Sequence, residues 1–177
     1  VSELKKILSN ISISFKSNSL SYQDVFINNY GVTEEIRSQE ISSIVSKISS
    51  IKEIRKFLVE EQRKIGESGG LVAEGRDIGT TVFPTAELKI YLTASIDERA
   101  KRRKSELESK DSNEIDLNQL KELIKIRDLE DSNREISPLK KANDAIEIIS
   151  DGYSINDVAE KIIKLYDEKI PKEIQTS

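Results

Sequence analysis

The sequence predicts an α/β fold, a parallel sheet with helices on both faces. Short apolar runs at Leu71 to Ala73, Leu88 to Ser95 and Ala145 to Ser150 have the length and content of buried strands. Stretches of helical periodicity, opened by capping residues, lie between and after them. Strands alternating with helices in this way build βαβ units, whose ligands bind beyond the carboxyl ends of the strands.

The elements follow in order. Residues 1–8, "VSELKKIL", read as the end of a core helix. Residues 9–32 alternate and are rich in Ile, Ser, Phe and Asn, which predicts a small antiparallel unit with strands at Ile11 to Phe15 and Val25 to Asn28. The pattern turns helical from Thr33. "SSIKEIRKFLVEEQRKIG" sets Ser50 and Glu53 at capping-box spacing, aligns Ile51, Ile54, Leu58 and Ile65, and stops at Gly66. After the strand at Leu71 to Ala73 comes the charged loop "EGRDIGTT". Ser95 and Glu98 are a second capping box, opening "IDERAKRRKSELESK" after the next strand. A polar break, "DSNEID", precedes "LNQLKELIKIRDLEDSNR", with Leu117, Leu120, Leu123 and Ile124 apolar, and this helix ends near Pro138. Asp151-Gly152 turns the chain out of the last strand. Ser154 and Asp157 then cap a final helix with Val158, Ile162 and Leu165 inward, and the tail after Pro171 is expected to be loose.

Composition limits the chemistry. The 177 residues suit one domain, or a core with a small lobe. Net charge is −4, from 28 basic and 32 acidic residues spread along the chain, which argues against a nucleic-acid or membrane surface. Cysteine and histidine are both absent, so disulfides, thiolate or zinc centres and histidine bases are excluded. Asp, Glu, Lys, Arg, hydroxyls, backbone amides and a bound Mg²⁺ remain. The apolar runs are far short of the roughly 20 residues a membrane helix needs, and no signal peptide is visible, so cytoplasm is the expectation. The sequence holds no methionine, and with its helix-tail opening it reads as a fragment.

Three charged groupings stand out. In "EGRD", Glu74 could bind a hydrated Mg²⁺, Arg76 could hold a phosphate through its planar fork of donors, and Asp77 could orient a base or a guanidinium. A strand-to-loop turn with a satisfied Arg–Asp pair explains the same residues. In "ERAKRR", Arg99, Arg102 and Arg103 share one helical face, which a polyphosphate would suit. A solvated helix with Glu98 and Glu106 as partners is the plainer alternative. In "IRDLEDSNR", Arg127, Asp131 and Arg134 form a ladder that either presents donors to a ligand or is a surface salt-bridge chain. The glycines, at 31, 66, 69, 70, 75, 79 and 152, begin no G-x-x-x-x-G-K-[ST] phosphate loop.

Taken in order, "EIRSQEISSIVS", "LVAEGRDIGTTVFPTAELKIYLTAS", "ERAKRR", "IRDLEDSNR" and the closing "DAIEIISD" with "SINDV" resemble the bacterial-type cytidylate kinase family over residues 11–168. The resemblance implies a P-loop kinase fold. It places an insert that binds the nucleoside monophosphate at 9–45, a core at 46–170 with a short lid near 105–116, and a tail at 171–177. The reaction implied is ATP and CMP (or dCMP) giving ADP and CDP (or dCDP), with Mg²⁺. Ser46, Arg55, Asp77 and Arg134 match residues that read the base, Arg127 and Asp131 those that hold the ribose, and Arg76 the one that holds the monophosphate. Arg76, Asp77, Arg102 and Arg103 are thereby candidates for the catalytic set. Arg99, Arg102 and Arg103 lead into a lid whose arginines reach the ATP phosphates.

The sequence also departs from the family pattern. The family's Gly-rich phosphate loop and the segment after it are missing, which predicts an inactive isolated chain. Leu129, Glu130 and Ser132 stand where further arginines are common, and Glu74 where Asp is frequent. Some cyanobacterial members are fused behind a pantoate ligase domain, and this methionine-free start would suit a piece of such a chain. A kinase with another base preference, or a non-catalytic nucleotide- or phosphate-binding module, remains the alternative.

Overall fold

A computed structural model describes residues 2–17, 23–108 and 116–170. The chain divides into two compact units, Val1–Val72 and Ala73–Ser177.

The first unit opens with α1 (Ser2–Ser9) and a three-stranded antiparallel sheet of β1 (Ile13–Ser17), β2 (Gln23–Ile27) and β3 (Tyr30–Gly31). In this register Phe15 faces Val25 and Ile13 faces Ile27. β1 therefore starts and ends two residues later than the sequence pattern suggests. The tight turn between β2 and β3 uses Asn28 and Asn29, both at positive φ (49° and 68°), the left-handed pair that matches strand twist. Asn28 Oδ1 also accepts a hydrogen bond from Ser12 N at 2.8 Å, tying the turn to the entry of β1.

A short 3-10 turn (Glu35–Arg37) leads into α2 (Gln39–Ser49) and α3 (Lys52–Gly66). The capping box expected at Ser50 and Glu53 does not form. Ser50 Oγ instead donates to Lys47 O at 2.7 Å, closing α2, while Ile51 is the N-cap of α3 with no side-chain cap. With two helices only two residues apart, the hydroxyl can serve one end, and it serves the carbonyl behind it.

The second unit contains a parallel pair, β4 (Ile90–Thr93) and β5 (Ile146–Ile149), in register from Ile90 opposite Ile146 to Thr93 opposite Ile149. The helices are α4 (Ile96–Glu108), α5 (Leu117–Ser132) and α6 (Ile155–Lys169). α4 and α5 pack on one another. Val82, Ala100, Leu120, Ile148 and Ile170 are the buried apolar residues described in this unit. The lid expected near 105–116 is helical through Glu108, and residues 109–115, like the tail 171–177, lie outside the described residues.

The strand expected at Leu71 to Ala73 is not formed. These residues are irregular, and Val72 is 98% exposed. A strand needs a neighbour for its N–H and C=O groups, and among the described residues none pairs with this run. Among the described residues β4 likewise pairs with β5 alone, and Leu92 and Ile149 are 53% and 58% exposed. Parallel strands are normally covered on both faces.

Candidate functional site

The loop after Ala73 folds into a single wide turn. The carbonyl of Asp77 accepts from the amides of Thr80, Thr81 and Val82 at 3.3, 2.8 and 3.2 Å, and Phe83 N reaches Ile78 O at 2.7 Å. This π-type turn over Ile78–Val82 draws Asp77 inward, to 4% exposure, and buries Val82. Such turns often mark functional sites. Gly75 is required by packing: a Cβ there would lie 2.9 Å from Ile78 Cγ1. Arg76 stands between the exposed Gly75 and the buried Asp77, and Glu74 is exposed.

Arg76 is drawn to α5. Its Nε lies 3.0 Å from Asp131 Oδ2, and the Asp131 side chain is 2% exposed. Arg134 Nη2 contacts the other oxygen, Oδ1, with its own side chain 15% exposed. Arg127 Nε, from one turn earlier on α5, approaches Oδ2 at 4.0 Å from a largely solvated position. One buried carboxylate therefore gathers three guanidiniums, and their charge exceeds its own by two. Arg76 makes its contact through Nε, which turns no more than one edge of its donor fork toward Asp131. The loop that follows is closed by Leu139 N donating to Asp131 O at 2.8 Å.

The arginines of α4 are held differently. Arg99 forms a two-pronged pair with Asp128 on α5, Nη1 to Oδ1 at 3.0 Å and Nη2 to Oδ2 at 2.6 Å. Arg102 donates from Nε to Glu98 Oε1 (2.9 Å), from Nη1 to Ser150 Oγ (3.1 Å) and from Nη2 to Ser150 O (2.7 Å). Arg103, half exposed, meets Glu106 at 3.0 Å. At the start of α4, Ser95 Oγ accepts from Glu98 N at 3.2 Å, which is half of the expected capping box. The other half is missing because Glu98 reaches forward to Arg102, and Ser95 N donates instead to Asp151 Oδ1 at 2.8 Å. Those hydrogen bonds from Ser95 hold the Asp151 carboxyl below its ordinary range.

Thus the structure brings together Arg76, Arg127, Asp131 and Arg134, with Asp77 adjoining in sequence, and directs Arg99 and Arg102 onto protein partners. Ser46 falls in α2, with its side chain outside what is described, and Arg55 lies on α3. Sequence reading missed Asp128, Ser150, Asp151 and Lys89. The partners Arg99–Asp128 and Arg102–Ser150 are 29 and 48 residues apart, so no local spacing signals them. Lys89 is an 8% exposed lysine at the entry of β4 that donates to Pro84 O and, at 2.7 Å, to Asp144 Oδ2. This hydrogen bond lowers the Asp144 carboxyl. Among the described residues no three carboxylates gather as a metal cage, and no helix is long and apolar enough to cross a membrane.

A family model described as cytidylate kinase matches residues 1–168. The chain belongs to the cytidylate kinase family. Its fold follows: an α/β architecture of the P-loop nucleoside monophosphate kinase type. Similar curated proteins are named bifunctional pantoate ligase/cytidylate kinase. One, from Prochlorococcus marinus subsp. pastoris, is 79% identical over 174 residues, 98% of this chain and 34% of the relative. Another, from Prochlorococcus marinus strain MIT 9312, is 82% identical over 173 residues, again 98% and 34%. A third, from strain SARG, is 47% identical over 173 residues, covering 98% of this chain and 33% of the relative. The chain spans about a third of the length of the curated relatives it matches.

Proposed function

We propose that the polypeptide carrying these residues transfers the γ-phosphoryl group of ATP to CMP or dCMP, giving CDP or dCDP and ADP. The observation that carries this reading is the buried Asp131 with Arg76 and Arg134 on its two oxygens. A carboxylate in this position pre-orients guanidiniums while leaving net positive charge, as a phosphomonoester dianion requires.

The chemistry suits the residues present. A phosphomonoester with a second pKa near 6 is a dianion at neutral pH and needs no base to become a nucleophile. Its oxygen forms a bond to the γ-phosphorus as the bond from that phosphorus to the β-bridging oxygen breaks, and ADP leaves with the electron pair. The work is positioning and charge neutralisation, which a chain without His or Cys can perform. We assign Arg76 to the monophosphate, Arg127 to the ribose, and Arg134 with Asp77, Ser46 and Arg55 to the base. The resemblance puts Asp131 on the ribose; its burial supports the role of an anchor for the arginines. Of the α4 arginines, Arg103 pairs with the exposed Glu106 on its own helix, a contact that ATP phosphates could replace.

Mg²⁺ would enter with ATP, since this ion keeps waters and substrate phosphates as ligands and needs one or two protein carboxylates. Glu74, exposed beside Arg76, is the candidate through a water. It would neutralise charge on the transferred group. The sequence has no G-x-x-x-x-G-K-[ST] loop, and we propose that the remaining length seen in the relatives supplies it. The edge of β4 left unpaired among the described residues and the exposed Leu92 and Ile149 support a further strand and covering layer from outside these residues. The fusion of the relatives to pantoate ligase makes such a domain the proposed neighbour.

The test is turnover by the parent polypeptide with CMP, dCMP, UMP and AMP. The account predicts use of CMP and dCMP over the others. Arg76→Lys should lower kcat/KM for CMP by about 100-fold, the order expected when a fixed, charge-assisted hydrogen bond to a reacting group is removed, with the ATP KM within about twofold. Preferred use of UMP or AMP would leave a kinase of another base preference; binding without turnover would leave a non-catalytic module.

A further inference from the structure

The cations of α4 invite assignment to the ATP phosphates, yet Arg102 has a protein acceptor for each of its three nitrogens. Two of those hydrogen bonds converge on Ser150, a 3% exposed residue just past the carboxyl end of β5. Ser150 is fully committed there. Its N and Oγ both donate to Thr93 O, at 2.8 and 3.1 Å, across the matching end of β4, and its carbonyl accepts from Tyr153 N at 3.2 Å as well as from Arg102. A second tie runs parallel to the first, from Ser95 N to Asp151 Oδ1. The turn 150–153 is thus fastened to α4 through Arg102, to the residue before α4 through Ser95, and to β4 through Thr93. At its end and just past it stand Tyr153 and Ile155, exposed, with Lys161 Nζ 3.6 Å above the tyrosine ring.

We propose that Arg102 is a positioning residue for the donor nucleotide, acting through Ser150 on the strand-end turn, and not a ligand of its phosphates. The proposal rests on the kinase reading given above. Parallel sheets receive their ligands beyond the carboxyl ends of the strands, and Thr93 and Ser150 mark those ends. A guanidinium fixed by three acceptors is poorly placed to swing to a phosphate, because its departure would leave a buried acceptor such as Ser150 O underserved. Its geometry instead sets where the turn sits. Arg103, one residue on, meets the exposed Glu106 of its own helix, a contact a phosphate could replace.

Charge and geometry separate the two roles in the full polypeptide. If Arg102 positions the turn, Arg102→Lys, which keeps the charge but not the fork, raises the ATP KM as much as Arg102→Ala does. Ser150→Ala then raises the ATP KM in the same direction, the CMP KM stays within about twofold, and the double variant is no worse than Arg102→Ala alone. If Lys restores the ATP KM and Ser150→Ala is silent, the positioning role is overturned. Should the Arg102 variants fail to fold, Ser150→Ala decides alone by the same criterion. Hydrogen exchange at the Tyr153 amide gives a readout independent of turnover. Faster exchange in Arg102→Lys supports the clamp, and unchanged exchange overturns it even if the parent proves not to be a kinase.

Discussion

At the scale of single residues, Asp131 carries the greatest consequence. Its carboxylate is 2% exposed and is the shared partner of Arg76 and Arg134. Removing one member of a buried, paired set leaves uncompensated charge, at a cost of about 3–5 kcal/mol. Asp131→Ala should therefore lower chemical-denaturation stability by about 3 kcal/mol and abolish CMP binding together. A variant with full stability would contradict the anchoring role. Asp151 makes a pH-dependent contribution. Its folded pKa is lowered by the hydrogen bonds from Ser95, so the stabilisation is present above the ordinary aspartate value and lost as pH falls through the lowered one. Melting temperature should fall below about pH 4, and Asp151→Asn should flatten that part of the curve. The charged residues around the glycines were legible as a group because their types and order are unusual. Which acceptor each arginine would find was not, since Asp128 and Ser150 come from distant parts of the chain.

At the scale of elements, local chemistry decides most outcomes. The final helix forms as its sequence predicts, with Ser154 and Asp157 completing a capping box in both directions. The boxes at Ser50 and Ser95 were read from the same spacing and differ. One hydroxyl is taken by the preceding helix, and one backbone amide by Asp151. Spacing shows that a cap is possible, whereas competition for the hydroxyl is settled by neighbours. The Asn28-Asn29 turn gives a direct check, because both residues occupy left-handed backbone. Asn29→Gly should be neutral or stabilising by a few tenths of a kcal/mol, and Asn29→Val should cost about 1–2 kcal/mol, measured by denaturant midpoint. On α5, Leu120 is buried, whereas Leu123, equally apolar and three residues on, is 62% exposed. A three-residue step places both on broadly one side of the helix, so spacing alone does not tell them apart.

At the scale of the whole molecule, the alternation of strands and helices was enough to indicate an α/β fold. The run at Leu71 to Ala73 shows where that reasoning stops. Apolar content marks a segment that can be buried, while strand formation requires a hydrogen-bonding neighbour, and among the described residues that neighbour is absent. The edge of β4, open among the described residues, and the exposed Leu92 and Ile149 carry the same message, and the relatives are about three times as long. The proposal of a further strand from outside these residues predicts that the β4 amides exchange more slowly in the parent polypeptide than in residues 1–177 alone, by hydrogen exchange. The central claim is the CMP-directed reaction, and the most direct measurement is CMP-dependent ADP formation from ATP by the parent polypeptide, with UMP and AMP as controls. The account predicts turnover with CMP that Arg76→Lys reduces by about 100-fold. A folded parent that turns over no monophosphate, or one indifferent to Arg76, would contradict it.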